Sequence, residues 1–316
     1  MSQLSEPLPT PISPGAASQP PDVTVPAAHP APAHPAHHAP AQPAPPPRRP
    51  HLSIRPTRGW AALQLREIWL FRELLLRLAT RDLKLRYKQT ALGVIWVVLQ
   101  PLMGAGVLFF VFNKVAGLPS SFLSVYAALM AWGLFSSTLT KTSSCLVGNA
   151  QLISKVFFPR LILPLSTVPS ALVDFAVAAG MLAVMMILHG IVPTPALLIL
   201  PLPIAILIAL ALGVGLLAAS LAVSYRDVQY ILPVFLQILL YASPVAYGLS
   251  MVPQHLRPYY IWNPLTAPLE CFRYALLGTG VPPAGPLLYS TAAAAAVLLV
   301  GLYAFKRMER RFADVI

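Results

Sequence analysis

Charge is what this sequence has least of. Only 10% of its 316 residues are Asp, Glu, Lys or Arg, whereas 57% are hydrophobic and the mean hydropathy is +0.69. A soluble domain needs about a quarter of its residues charged, so a water-soluble globule is excluded and a chain that crosses a bilayer several times is implied. Cysteine is nearly absent: Cys145 and Cys271 are too few for a disulfide framework and read as free thiols. Also missing are GxxxxGK[ST], HExxH, CxxC and GxSxG patterns, so no nucleotide hydrolysis and no recognisable metal or serine chemistry is encoded. Acidic residues number ten against 22 basic ones, a net charge of +12. That balance suggests nucleic acid in a soluble protein, but here the basic residues flank apolar segments, where membrane orientation and anionic headgroups explain them. No nucleic-acid partner is expected.

What is present is a sharp boundary at Arg81–Pro101, RDLKLRYKQTALGVIWVVLQP, where positive charge changes within a few residues into an unbroken apolar run. Such a boundary marks entrance into a bilayer from the cytosolic face. Before it, residues 1–58 form a Pro/Ala/His-rich tail. Sixteen of the 35 prolines and four of the seven histidines fall in the first 50 residues, a composition that offers nothing to bury and implies a disordered cytosolic arm. Residues 1–30 lack a basic n-region and an apolar h-region, so the first transmembrane helix is expected to act as its own insertion signal.

Residues 59–90 read as an amphipathic helix lying at the membrane interface. Trp69, Leu76, Ala79, Leu83 and Tyr87 make one stripe, and Arg66, Glu73, Arg77, Arg81, Lys84 and Lys88 another. Residues 91–316 then supply runs of about 20 apolar residues, the length a helix needs to cross, at 91–112, 122–140, 161–189, 196–223, 231–250 and 286–305. The expected fold is an all-α membrane protein with six transmembrane helices. Lys and Arg concentrate before the first span, in a 141–160 loop, in the 224–230 turn and in the C-terminal KRMERR, which puts both termini in the cytosol. The Pro- and aromatic-rich stretch 251–285 reads as one or two re-entrant helices between spans five and six. Asp174 is the main ionisable group inside a span, and it is expected to act as an interhelical hydrogen-bonding partner.

Three stretches carry a family resemblance: RDLKLRYKQTALGVIWVVLQP (81–101), NAQLISKVFFPRLILPLSTVPSALVDF (149–175), and YRDVQYILPVFLQILLYASPVAYG with the later NPLTAPLECFRYALLG. Together they resemble the permease subunits of type-2 ABC exporters, those that move O-antigen, capsular polysaccharide, teichoic acid or another polyol phosphate. The resemblance spans about residues 66–316. It implies a homodimer in the inner membrane, bound to two copies of a separate ATP-binding cassette subunit that holds ATP and Mg. No cofactor is expected in this chain. It also implies that a lipid-pyrophosphate-linked glycan is loaded from the cytosol and threaded between protomers.

Residues can be set against those roles. In the 141–160 loop, Asn149, Lys155 and Arg160 accompany the apolar knobs Leu152, Ile153, Phe157 and Phe158, which a short element seated in a cleft of the motor would bury. Arg81, Lys84, Arg86 and Lys88 stand where a diphosphate headgroup would arrive, and arginine suits bidentate phosphate contacts. Sugar rings stack on aromatics and need weakly held polar partners. Trp96, Gln100, Met103, Val107 and Phe110 share one face of the first span, and Gln237, Tyr241 and Pro244 one face of the fifth. These are expected to line the channel, with Tyr126 and Trp132 as further candidates. A permease for teichoic acid or small lipophilic compounds is the alternative within the class. A membrane-embedded glycan transferase is the alternative outside it, but it would call for paired acidic or histidine residues at a membrane face, and His189 and His255 stand alone.

Overall fold

A computed structural model describes residues 65–88, 93–192, 194–278 and 284–309. The tail at 1–58 and the start of the interface helix lie outside the described residues, as do the side chains of Arg66, Arg86, Tyr87 and Lys88. The described residues are helical and contain no strand, as a bilayer requires of an open chain whose backbone groups must pair locally.

The interface segment forms two helices, α1 (Leu65–Leu70) and α2 (Arg72–Lys88), separated by Phe71. The face they bury differs from the expected stripe. Leu78 and Ala79 are buried, and Ile68, Phe71, Leu74 and Leu75 pack beside them, whereas Trp69, Leu76 and Leu85 are exposed. The helix therefore lies on protein through one apolar side and keeps a second apolar side exposed.

Five segments are long and apolar enough to cross a membrane. They are Val98–Val115, at the end of α3 (Gly93–Phe109) and the π-helical turn that follows; α4 (Phe122–Gly148); α6 (Ile162–Leu188); Pro195–Ser224, which contains α7 (Pro201–Ser224); and α11 (Ala284–Met308). The segment expected as a span at 231–250 is only partly helical. Its helix, α8 (Val228–Tyr241), has 14 residues, about 21 Å of rise against a hydrocarbon core of about 30 Å. The helix ends at Tyr241, two residues before Ser243-Pro244, and residues 242–248 continue without it. Two short helices, α9 (Arg257–Trp262) and α10 (Thr266–Leu277), follow where re-entrant helices are expected.

The 141–160 loop is also shorter than expected. Helix α4 runs unbroken for 27 residues to Gly148, so Lys141 sits within it, and only a turn with the six-residue α5 (Ala150–Lys155) joins α4 to α6. We refer to the two ends of the bundle as the α5 end and the α10 end.

The core has two parts. One gathers Tyr126, Leu139, Leu207 and Phe272 between α4, α7 and α10. The other, at the α5 end, gathers Leu146, Phe158, Ile162, Leu216 and Phe305. Helices α7 and α11 approach so closely that a Cβ on Gly301 would collide with the Gly213 backbone. In membranes, where lipid is as apolar as leucine, such small-residue contacts let van der Waals packing hold helices together.

At the α10 end, the break after α8 leaves carbonyls without helical donors. Arg273, only 3% exposed, supplies them: its Nη2 donates to Pro244 O at 2.7 Å and Val245 O at 2.8 Å. Its Nη1 donates to Glu270 Oε1 at 2.7 Å, and the same oxygen accepts from Leu249 N at 2.9 Å. Burial lowers the pKa of Arg273 from the ordinary arginine value, and the Glu270 carboxylate opposes that shift. Beside it, Tyr247 and Tyr260 share a 2.7 Å hydroxyl contact.

Candidate functional site

Two cavities lie along the bundle, meeting at one ion pair. The larger, about 780 Å³, opens between α3, α4, α6 and α8. Its polar wall is made by Gln100, Ser136, Ser137, Lys141, Asp174 and Gln237. The smaller, about 310 Å³, lies toward the α5 end between α2, α4 and α6, where Arg81, Asp82, Asn149 and a set of serine and threonine hydroxyls face it. Lys141 borders both.

The ion pair is short. Lys141 Nζ donates to Asp174 Oδ2 at 2.8 Å and to Ser170 Oγ at 2.8 Å. One turn further toward the α5 end, the Thr142 and Thr167 hydroxyls are 3.0 Å apart. Asp174 thus does what its place in a span suggested, bonding across helices. Its partner is the residue that run-length reading assigned to a loop.

The expected channel residues divide. Trp96, Gln100, Met103 and Val107 share a face of α3, Phe110 opens the π-helical turn that follows, and all five are exposed. Gln237 and Tyr241 are exposed on α8. Of these, Gln100 and Gln237 converge on the large cavity. Pro244 does not join them: it is buried, with its carbonyl held by Arg273, because α8 has already ended. Tyr126 is likewise no lining residue. It is fully buried and its hydroxyl donates to Ala178 O at 3.2 Å. Trp132 borders the cavity while packing on Phe135. Sequence reading missed the serines, and it missed Lys141 as a cavity residue. The legible signal was an opposite charge in each of two successive apolar segments.

At the α5 end, the knobs of the turn also divide. Phe157 is 70% exposed, whereas Phe158 is 5% exposed and Leu152 and Ile153 pack against the same core part. The turn itself thus covers Phe158 and half-buries Leu152 and Ile153, which leaves Phe157 as the knob that stands out from it. Lys155 is exposed, and Arg160 is tied to the far helix through the Glu309 carbonyl. Asn149 closes α4: its Nδ2 donates to Cys145 O at 2.8 Å, and its Oδ1 accepts from Arg81 Nη2 at 2.8 Å. Arg81 is also paired with Asp82, while Lys84 is exposed on α2. Among the described residues no three His, Cys, Asp or Glu gather as a metal site.

The long apolar helices make this a multi-pass membrane protein with a polar cavity inside its bundle. The family described as ABC-2 type transporter matches residues 73–277, and this chain belongs to it. It is a permease of the type-2 ABC exporter kind, a transport subunit. Similar proteins include an O-antigen export system permease protein RfbA of Klebsiella pneumoniae, 28% identical over 254 residues, which are 77% of this chain and 95% of that protein. A protein of the same name from Myxococcus xanthus is 27% identical over 256 residues, 80% of this chain and 98% of that protein. The polysialic acid transport protein KpsM of Escherichia coli is 24% identical over 247 residues, 72% of this chain and 91% of that protein.

Proposed function

We propose that this chain is the permease subunit of an ATP-driven exporter that carries a lipid-linked polysaccharide, of O-antigen or capsule type, from the cytosol across the inner membrane. The observation that supports it best is the similarity to permeases named for O-antigen export, which extends over nearly their whole length. A polar cavity walled by amides, hydroxyls and an ion pair suits a hydroxylated cargo better than a lipophilic one.

In this reading the working unit is a homodimer with two ATP-binding cassette subunits, which hold ATP and Mg. The α5 end faces the cytosol, and both termini lie on that side. The region 228–248 completes a sixth crossing, with α9 and α10 dipping back from the outer side. The motor grips the turn at Asn149–Arg160, with Phe157 and Lys155 as its outward contacts. Arg81, Lys84, Arg86 and Lys88 meet the pyrophosphate as it arrives. The glycan passes Trp96, Gln100, Met103, Phe110, Gln237 and Tyr241.

Deleting the gene tests this. The expected result is loss of surface polysaccharide with lipid-linked glycan trapped in the cytosol. Unchanged surface polysaccharide overturns the substrate assignment.

A further inference from the structure

Helix α11 is tied at its two ends to elements that stand at opposite ends of the bundle. At the α5 end its last carbonyls lack intrahelical donors, and the carbonyl that follows them, Glu309 O, accepts from Arg160 Nη1. A guanidinium at a helix C-terminus also meets the negative end of the backbone dipole. Phe305 and Met308, one turn earlier, pack in the same core part as Phe158, Leu161 and Ile162. The outgoing arm of the α5 turn is thus fixed to α11 by a polar bond and by apolar packing. At the α10 end, Tyr289 Oη donates to Trp262 O at 3.0 Å, and the two rings meet edge to face with centroids 5.9 Å apart. Trp262 is the last residue of α9, so this carbonyl too has no helical donor.

We infer that α11 is the rod that carries the motor's stroke from the α5 turn to α9, with Arg160 and Tyr289 as the positioning residues at its two ends; the inference rests on the export reading above, in which the motor acts on that turn. The exposed Phe157 lies three residues before Arg160, and Pro159 between them fixes its own φ. Little slack therefore separates the gripped residue from the bond to α11. The helix itself is 25 residues long, about 37 Å of rise, and has no proline after Pro286. Along its length it lies backbone to backbone on α7 at Gly301 and Gly213, so a push at one end moves it as a body rather than bending it. At the other end the load falls on a six-residue helix, too short to hold a position by its own hydrogen bonds. Helix α9 also carries Tyr260, whose hydroxyl is 2.7 Å from that of Tyr247. A shift of α9 therefore reaches the segment 242–248, where α8 has already ended.

The test uses the complex of the full chain with its ATP-binding cassette subunit in lipid nanodiscs, and reads hydrogen exchange in residues 257–263 with and without AMP-PNP, a non-hydrolysable ATP analogue. In the wild type the nucleotide is expected to change exchange there about threefold. Arg160→Ala should abolish that response while the motor still co-purifies and protection in α4 and α7 stays as it was, which a general loss of stability would not leave in place. Arg160→Lys keeps a cation beside the carbonyl and should restore part of the response. Glu309→Ala should leave it intact, because the acceptor is the backbone oxygen. Tyr289→Phe keeps the ring pair, deletes only the hydroxyl at the far end, and should also abolish the response; it decides the matter if Arg160→Ala does not fold. No nucleotide response in the wild type overturns the inference, as does a response that survives Arg160→Ala or Tyr289→Phe, or one that Glu309→Ala removes. The export reading fails separately: gene deletion that leaves surface polysaccharide unchanged sinks that reading, whereas loss of surface polysaccharide with a negative exchange result sinks the rod alone.

Discussion

Arg81 on α2 and Asn149 at the end of α4 are joined by a 2.8 Å hydrogen bond across 68 residues of chain. Asp82 holds the same guanidinium from the other side at 2.9 Å. Arg81 therefore ties α2 to the first residue of the turn that follows α4.

Arg81→Ala should consequently separate function from folding. The tie is half-exposed, so its loss is expected to cost less than about 1 kcal/mol of stability. Export should fall while ATP turnover by the partner continues. Arg81→Lys should not restore it, because one ammonium cannot reproduce a planar fork that meets Asp82 and Asn149 together. Paired ATPase and export assays on the reconstituted complex check this; export at the normal rate in Arg81→Ala would show that α2 moves independently.

Phe157 and Phe158 are neighbours with opposite surroundings. Phe158→Ala empties a buried site and is expected to destabilise the permease by about 3 kcal/mol. Phe157→Ala should change its stability by less than about 0.5 kcal/mol yet weaken association with the motor about tenfold. Thermal unfolding of the permease alone and co-purification of the complex distinguish the two. Equal destabilisation by both substitutions would mean that Phe157 packs inward.

The Lys141–Asp174 pair predicts a rescue. Asp174→Leu takes from the ammonium the carboxylate it is packed against and is expected to cost about 2 kcal/mol. Adding Lys141→Met should recover most of that loss, because an apolar pair can replace an ionic one that is partly removed from solvent. Unfolding curves for wild type, both single variants and the double variant form the cycle. Additive losses would contradict the coupling.

Arg273→Met tests the α10 end. It strips donors from the Pro244 and Val245 carbonyls and the counter-charge from Glu270. A loss of about 3 kcal/mol is expected. Hydrogen exchange should rise in 242–249 before it rises in α4 or α7, since the segment has no helix of its own to protect it. Unaltered exchange there would mean that another group holds the break.

The amphipathic segment, the five long spans and the turn between α4 and α6 were legible because each is a local property. Apolar length decides whether a helix crosses, and a bilayer demands that its backbone bonds be made within it. The family-like motifs carried the class of transporter for the same reason, being contiguous strings. Less legible was the shortened α8. Its apolar run reaches residue 250, and only Ser243-Pro244, with Arg273 waiting to satisfy the freed carbonyls, ends the helix early. The end of α4 was misjudged because Lys141 looked like a loop charge, when a carboxylate one helix away lets it stay inside.

From the sequence alone came membrane character, the order of the helices and the place of the α5 turn along the chain, because composition and run length set them residue by residue. Only the tertiary structure decided which knob of that turn stays outside, that Gln100 and Gln237 share a cavity, and that Lys141 meets Asp174. Those outcomes depend on which faces of distant helices pack together, and in an apolar chain nearly every face is apolar enough to choose.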